Sequence, residues 1–198
     1  ALTQNVARAS VQSFSAAIAR DFAFWAVFSV CLAVFLIVIY VGVRFNSFRF
    51  SMAGIVATAH DVLIAVGLIA LAELLYDNMP GVAHPLGILP FAIDLQMVAA
   101  LLTILGYSIN DKIVILDRIR ENRGKHTRVT RQMVNDSINQ TLSRTIMTGT
   151  TTIASTLVLY LIGGEGIRGF AYALGLGIVV GTYSSIAIGA PLALGLRD

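Results

Sequence analysis

The chain has 198 residues, of which 57% are hydrophobic and 13% charged, and its formal net charge is +3. A soluble domain of this size needs a polar surface that this composition does not supply, so a water-soluble globular protein is excluded. The basic excess would suit nucleic acid in a soluble protein; here most of it sits in short loops between apolar runs, where it reports topology, and no nucleic-acid partner is expected.

The first stretch, 1–21, opens on Ala1 in a polar segment without a basic-then-apolar leader, and reads as the C-terminal piece of a longer chain. Val11, Phe14, Ile18 and Phe22 follow helical spacing, which predicts an interfacial helix or the end of an external domain. Five apolar segments then follow, near 22–43, 51–75, 95–116, 143–162 and 169–196, each at or near the ~20 residues that a helix needs to cross a bilayer. They are helix-length runs, not the ~10-residue alternating segments of an outer-membrane barrel. The expected fold is therefore an all-α integral membrane protein with five transmembrane helices, 22–196 forming the membrane domain.

The loops set the orientation. Arg44 and Arg49 lie between spans one and two; Arg118, Arg120, Arg123, Lys125, Arg128 and Arg131 between three and four; Arg197 follows span five. With alternating spans all of these share one side and outnumber Arg8, Arg20 and Arg168 on the other, so that side is cytoplasmic and the N-terminus lies outside. Loop 76–94 holds Pro80, Pro85, Pro90, Gly81 and Gly87 and predicts turns. Cys31 lies inside an apolar run and has no second cysteine to pair with.

Some span faces are polar or small. Span two repeats Ala53, Ala57, Asp61 and Ala65 every fourth residue, which places Asp61 on a protein-facing side. Span five carries Ala173, Gly177, Gly181, Ser185, Gly189 and Ala193 in the same rhythm, a row that lets another helix come close. Span four carries Ser137, Thr141, Arg144, Thr148, Thr151 or Thr152, and Ser155; lipid offers such groups no partner, so the stripe is expected to face helices or water.

Asp61, Asp111 and Arg144 are the deepest ionisable residues, and each costs at least ~2.5 kcal/mol inside a membrane unless paired or used. Asp111 and Arg144 both fall in the cytoplasmic half and are expected to meet. A carboxylate toggled between a paired and an unpaired setting can load and release a proton; a static ion pair is the alternative. Lys112 points about 100° away from Asp111 and is expected to snorkel toward the cytoplasmic interface. Glu73 and Asp94 lie at outer span ends. His84 and His126 have no partner at metal-ligand spacing, and no Ser/His/Asp arrangement, phosphate-cradling loop or zinc motif is present, so neither an enzyme nor a cofactor is expected.

Four segments carry a resemblance: "RFSMAGIVATAHDVLI" (49–64), "GYSINDKIVILDRIREN" (106–122), "SINQTLSRTIMTGTTT" (137–152) and "GIVVGTYSSIAIGAPL" (177–192). In this order they resemble the SecF family, a subunit of the bacterial Sec protein-export machinery. The resemblance implies a six-span half of the resistance–nodulation–division class, of which this chain holds the last five spans; the first span and external domain are missing, and the source is a separate SecF or a fused SecDF. It implies a function: with SecD, the proton motive force is used to promote export of unfolded preproteins through SecYEG across the bacterial cytoplasmic membrane, with YajC, YidC and membrane lipid as further partners. Sodium is the alternative driving ion. A non-conducting scaffold and a small-molecule transporter of the same superfamily are the rival readings. The resemblance also implies a proton relay of Asp111 and Arg144, Asp61 in a lesser role, with Ser108, Asn110, Thr141 and Thr148 as a supporting polar pathway. Lys112 departs from the family pattern, where a small residue is common, and loop 76–94 is a further departure.

Overall fold

A computed structural model describes residues 2–45, 47–88, 94–126 and 128–195, with backbone alone for 2–20 and 22. Arg197, Pro90 and the side chains of Arg8 and Arg20, all used above, lie outside the described residues. The elements are α1 (Leu2–Phe45), α2 (Phe48–Asn78), α3 (Pro80–Ala83), α4 (Leu95–Arg123), α5 (Arg131–Ile162), α6 (Glu165–Ser184), a π turn (Ser185–Gly189) and α7 (Ala190–Gly195). No strand occurs among the described residues. Five rods are long and apolar enough to span a bilayer: α1 from Ala23 on, α2, α4, α5, and α6 through α7. The protein is thus an all-α, multi-pass membrane fold. Phe24, Trp25, Phe28, Phe35 and Leu63 are exposed on its flanks, a surface suited to lipid.

The rods outrun the apolar segments, because helix ends are set by caps and turn residues as well as by hydropathy. Asp94 starts α4: its Oδ1 accepts the Met97 amide at 2.8 Å, so this acid is an N-cap at the rod's end. Thr130 does the same for α5, accepting from Met133 N at 3.3 Å, and α5 therefore begins twelve residues ahead of its apolar segment. Gly124 ends α4 at φ 52°, a backbone setting that side chains resist. At the front, α1 runs unbroken from Leu2 into the first span. In the loop after α2, the short α3 is followed by a turn ending at Gly87, φ 69°.

Packing follows the small residues. α4 and the α6–α7 rod form the centre, α2 and α5 lie against them, and α1 rests on α2 and α4. Every member of the Ala173–Gly177–Gly181–Ser185–Gly189–Ala193 row is buried. A four-residue row drifts around an α-helix by about 40° per step. The π turn at Ser185–Gly189 is wider than an α turn and offsets part of that drift. Pro191 supplies its cause, since it has no N–H to return to the preceding turn and its ring crowds the carbonyl there. Gly177 is the closest approach: a Cβ placed there would stand 2.4 Å from Ile104 Cδ1. Gly177→Ala is expected to lower stability by about 1–3 kcal/mol, whereas Gly106→Ala, with nothing within 4 Å of its Cβ position, should leave it nearly unchanged. Melting of the detergent-solubilised variants checks both.

Two larger apolar clusters stack along the bundle, beside a small third one of Ala72, Ala83 and Ile88. One gathers Phe45, Phe50, Ala53, Leu116, Ile119 and Ala193; the other gathers Ala65, Met97, Ala100, Ile104, Ala173 and Ile178. The basic residues collect around the first. Arg49 donates from Nε to Ala193 O at 2.5 Å and from Nη2 to Leu194 O at 3.1 Å, satisfying the carbonyls that end α7. Arg123 lies over the Phe50 ring, and Arg44 pairs with Asp117. Arg168 sits at the opposite end, over Tyr160 and beside Gly87.

Candidate functional site

Between the two apolar clusters the interior turns polar. Ser108 and Lys112 stand four residues apart on α4, so they share one face, and that face meets α2 at Asp61. The Ser108 hydroxyl donates to Asp61 Oδ2 at 2.5 Å. The Lys112 ammonium donates to the same oxygen, to Ser108 Oγ at 2.6 Å and to Ser108 O at 3.4 Å. Asp61 and Lys112 are 0% exposed and Ser108 1%. His60 Nδ1 faces the other carboxylate oxygen, Asp61 Oδ1, at 3.0 Å. The last rod covers the group with glycines: a Cβ at Gly181 would lie 3.3 Å from Ser108 Cβ, and one at Gly189 would lie 3.7 Å from Lys112 Cγ.

Lys112 therefore does not reach for the interface. Its four-carbon stem is fully buried and its charge is consumed by Asp61. Snorkelling gains hydration, but it would leave Asp61 as a lone buried carboxylate, and that cost is larger.

Asp111 sits one residue earlier and faces elsewhere. It is 3% exposed, and its Oδ2 has no hydrogen-bond partner among the described residues. Lys112 and Arg144 are the cations whose charges act on it. Arg144 is exposed on α5 and makes no ion pair with Asp111 within 4 Å among the described residues. It instead lines an open cavity of about 770 Å³ together with Arg44, Asp117, Arg118, Glu121 and Thr141. Part of the charge in that cavity is already spoken for: Arg44 bonds Asp117, and Arg118 bonds Glu121 and, at 2.6 Å, Gln140.

The polar stripe of α5 finds acceptors close by. Thr148 donates to Arg144 O at 3.0 Å, Thr151 to Met147 O at 2.9 Å, Thr152 to Thr148 O at 2.8 Å and Ser155 to Thr151 O at 3.0 Å. These hydroxyls are satisfied by their own helix, one turn back, and Thr148, Thr151 and Ser155 are exposed on this chain. Each of these hydroxyls therefore has its acceptor within α5, whatever covers that face. Thr141, 8% exposed, likewise donates to Ser137 O at 2.9 Å. Asn110 is exposed on α4. The predicted residues thus divide: Asp61 and Ser108 join one buried group, Asp111 stands beside it, Arg144 and Thr141 line the cavity, and Asn110 and Thr148 face outward.

Sequence reading missed the partner of Asp61. The four-residue spacing of Ser108 and Lys112 was the available signal. It also missed Tyr107, Thr145 and Thr182, whose buried hydroxyl oxygens have no hydrogen-bond partner among the described residues. Tyr107 lies one turn before Asp111 on α4. Thr182 approaches Gly149, one turn past Thr145, with its Oγ1 3.0 Å from where a Cβ would stand.

Five spanning helices that bury carboxylates and a lysine define a polytopic membrane protein with an ionisable interior. The family model of the protein export membrane protein SecD/SecF, C-terminal, matches residues 1–198, and the chain belongs to that family. It is 44% identical over 182 residues to the protein translocase subunit SecF of Rhodothermus marinus, covering 90% of this chain and 54% of that one. It is 41% identical over 180 residues to the SecF subunit of Rhodobacter capsulatus, covering 90% and 49%. Among solved structures it is similar to SecDF of Thermus thermophilus, described as a translocon-associated membrane protein, with TM-score 0.69, 45% identity, and coverage of 86% of this chain and 21% of that one. A super-membrane-facing form of SecDF gives TM-score 0.64 at 46% identity, over 82% and 20%. The chain thus spans about half the length of the curated relatives and about a fifth of the solved chains.

Proposed function

We propose that this chain is the membrane part of a SecF-type subunit which, with SecD, uses the proton motive force to promote preprotein export through SecYEG. It acts as a transport accessory, not an enzyme, and needs no cofactor beyond the ion gradient. It sits in the bacterial cytoplasmic membrane with its C-terminus inside; the gathering of Arg44, Arg49, Arg118 and Arg123 at one end of the bundle supports that orientation. YajC and YidC are further partners in this reading.

Asp111 is the observation that carries it. A carboxyl oxygen without a partner, deep in a membrane helix, is costly unless it takes and gives a proton. Arg144, in an open cavity and paired with no carboxylate among the described residues, is placed to supply a positive charge when Asp111 is ionised. Asp61 has a lesser part, since its charge is already balanced by Lys112. The SecD partnership is supported by an exposed row on α4, Thr103, Gly106 and Asn110, small and polar residues of the kind that helix–helix contacts use in membranes.

The test is proton flux through the full-length protein with SecD, in vesicles under an imposed proton gradient. Arg144→Ala is expected to cut flux at least ~10-fold while leaving the protein inserted, since it removes a cation whose charge acts on ionised Asp111. Equal flux with and without Arg144 would remove Arg144 from the relay, and no flux in either would leave the scaffold reading in its place.

A further inference from the structure

Lys112 is the buried cation for which the relay proposed above has no use. An ammonium has three donors. Those of Lys112 meet Asp61 Oδ2, Ser108 Oγ and Ser108 O, so none remains for Asp111, the next residue along. Among the other described groups facing it, His60 alone can carry a positive charge, and it stands on the far oxygen of Asp61. From α2 come Asp61 and, behind it, His60; from α4 come Ser108 and Asp111; from the last rod comes Gly189. From α5 the charge of Arg144 acts on Asp111.

Two buried carboxyls therefore stand in unlike settings. Asp61 has a contact cation, a hydroxyl donor on the same oxygen and a histidine on the other. Asp111 has a bare oxygen. We infer that Lys112 is a positioning residue of the relay: as the fixed counter-ion of Asp61 it keeps that carboxyl ionised and so confines the exchangeable proton to Asp111. The inference rests on the relay reading. In each cycle one proton from water joins the Asp111 carboxylate and one leaves it to water, while Asp61 and Lys112 exchange none.

The experiment is a pH titration of buried-carboxyl C=O stretches by infrared difference spectroscopy, on the full-length protein reconstituted in lipid vesicles. Wild type is expected to show one titrating buried carboxyl, lost in Asp111→Asn. Lys112→Met is expected to gain a second, because Asp61 then has to take a proton, and Asp61→Asn/Lys112→Met is expected to return to one. A folded Lys112→Met variant that titrates like wild type would overturn the assignment, as would two titrating carboxyls in wild type or a wild-type band that survives Asp111→Asn. If Lys112→Met does not insert, wild type, Asp111→Asn and the charge-free double variant still decide it. Proton flux measured on the same vesicles separates the two readings. Absent wild-type flux with the expected spectra removes the relay and leaves the counter-ion. Normal flux with two titrating carboxyls in wild type removes the counter-ion alone.

Discussion

Replacing Asp111 with asparagine is expected to leave the five-helix bundle folded and membrane-inserted, and to lower proton flux and proton-driven export by at least ~100-fold, the lower range for removing a group that carries protons in a rate-determining step. Asparagine matches the volume of the side chain and keeps a hydrogen-bonding amide. What it removes is the titratable oxygen that stands without a partner. The comparison is between vesicles of wild type and variant at equal protein content, with folding checked by melting. Export that persists under a proton gradient in this variant would assign the relay elsewhere.

The second large effect is on stability. Asp61→Ala is expected to cost about 3–5 kcal/mol, because it leaves the Lys112 ammonium buried without a counter-charge. The double variant Asp61→Asn/Lys112→Met removes both charges and should recover most of that loss, since an ion pair replaced by neutral groups of similar volume is often near neutral. Denaturation in mixed micelles gives these values, and adding Asp61→Asn and Lys112→Met as single variants closes the cycle whose non-additivity measures the pair directly. If Asp61→Ala melts with wild type, Lys112 has another partner and the polar centre is organised differently.

The five spans were legible because each crosses the membrane as a long apolar run, and hydropathy alone reports that. The inward faces of α2 and the last rod were legible too: Ala53, Ala57, Asp61 and Ala65 are all buried, as is the glycine row. Both rest on a four-residue rhythm inside one helix. The partner of Asp61 was not legible, since Lys112 reaches it across two helices whose relative rotation no single-helix pattern fixes. The internal bonds of the α5 stripe were not read either. Its hydroxyls were counted as needing outside partners, whereas a threonine in a helix can bond the carbonyl one turn behind it. Asp111 and Arg144 were expected to meet, but no ion pair joins them within 4 Å, because no single-helix pattern fixes how α4 and α5 turn toward each other.

The Asp61–Lys112 pair also has an electrical meaning. A membrane potential acts on net charge with about 2.3 kcal/mol per elementary charge per 100 mV. An ammonium held against a carboxylate at one depth presents almost no net charge, so the potential neither pulls on the pair nor pries it apart. The lysine can thus sit inside the membrane without turning α4 into a voltage sensor. Voltage then acts on α4 chiefly through Asp111, whose carboxylate feels the field while it is ionised and is released from it once a proton neutralises it.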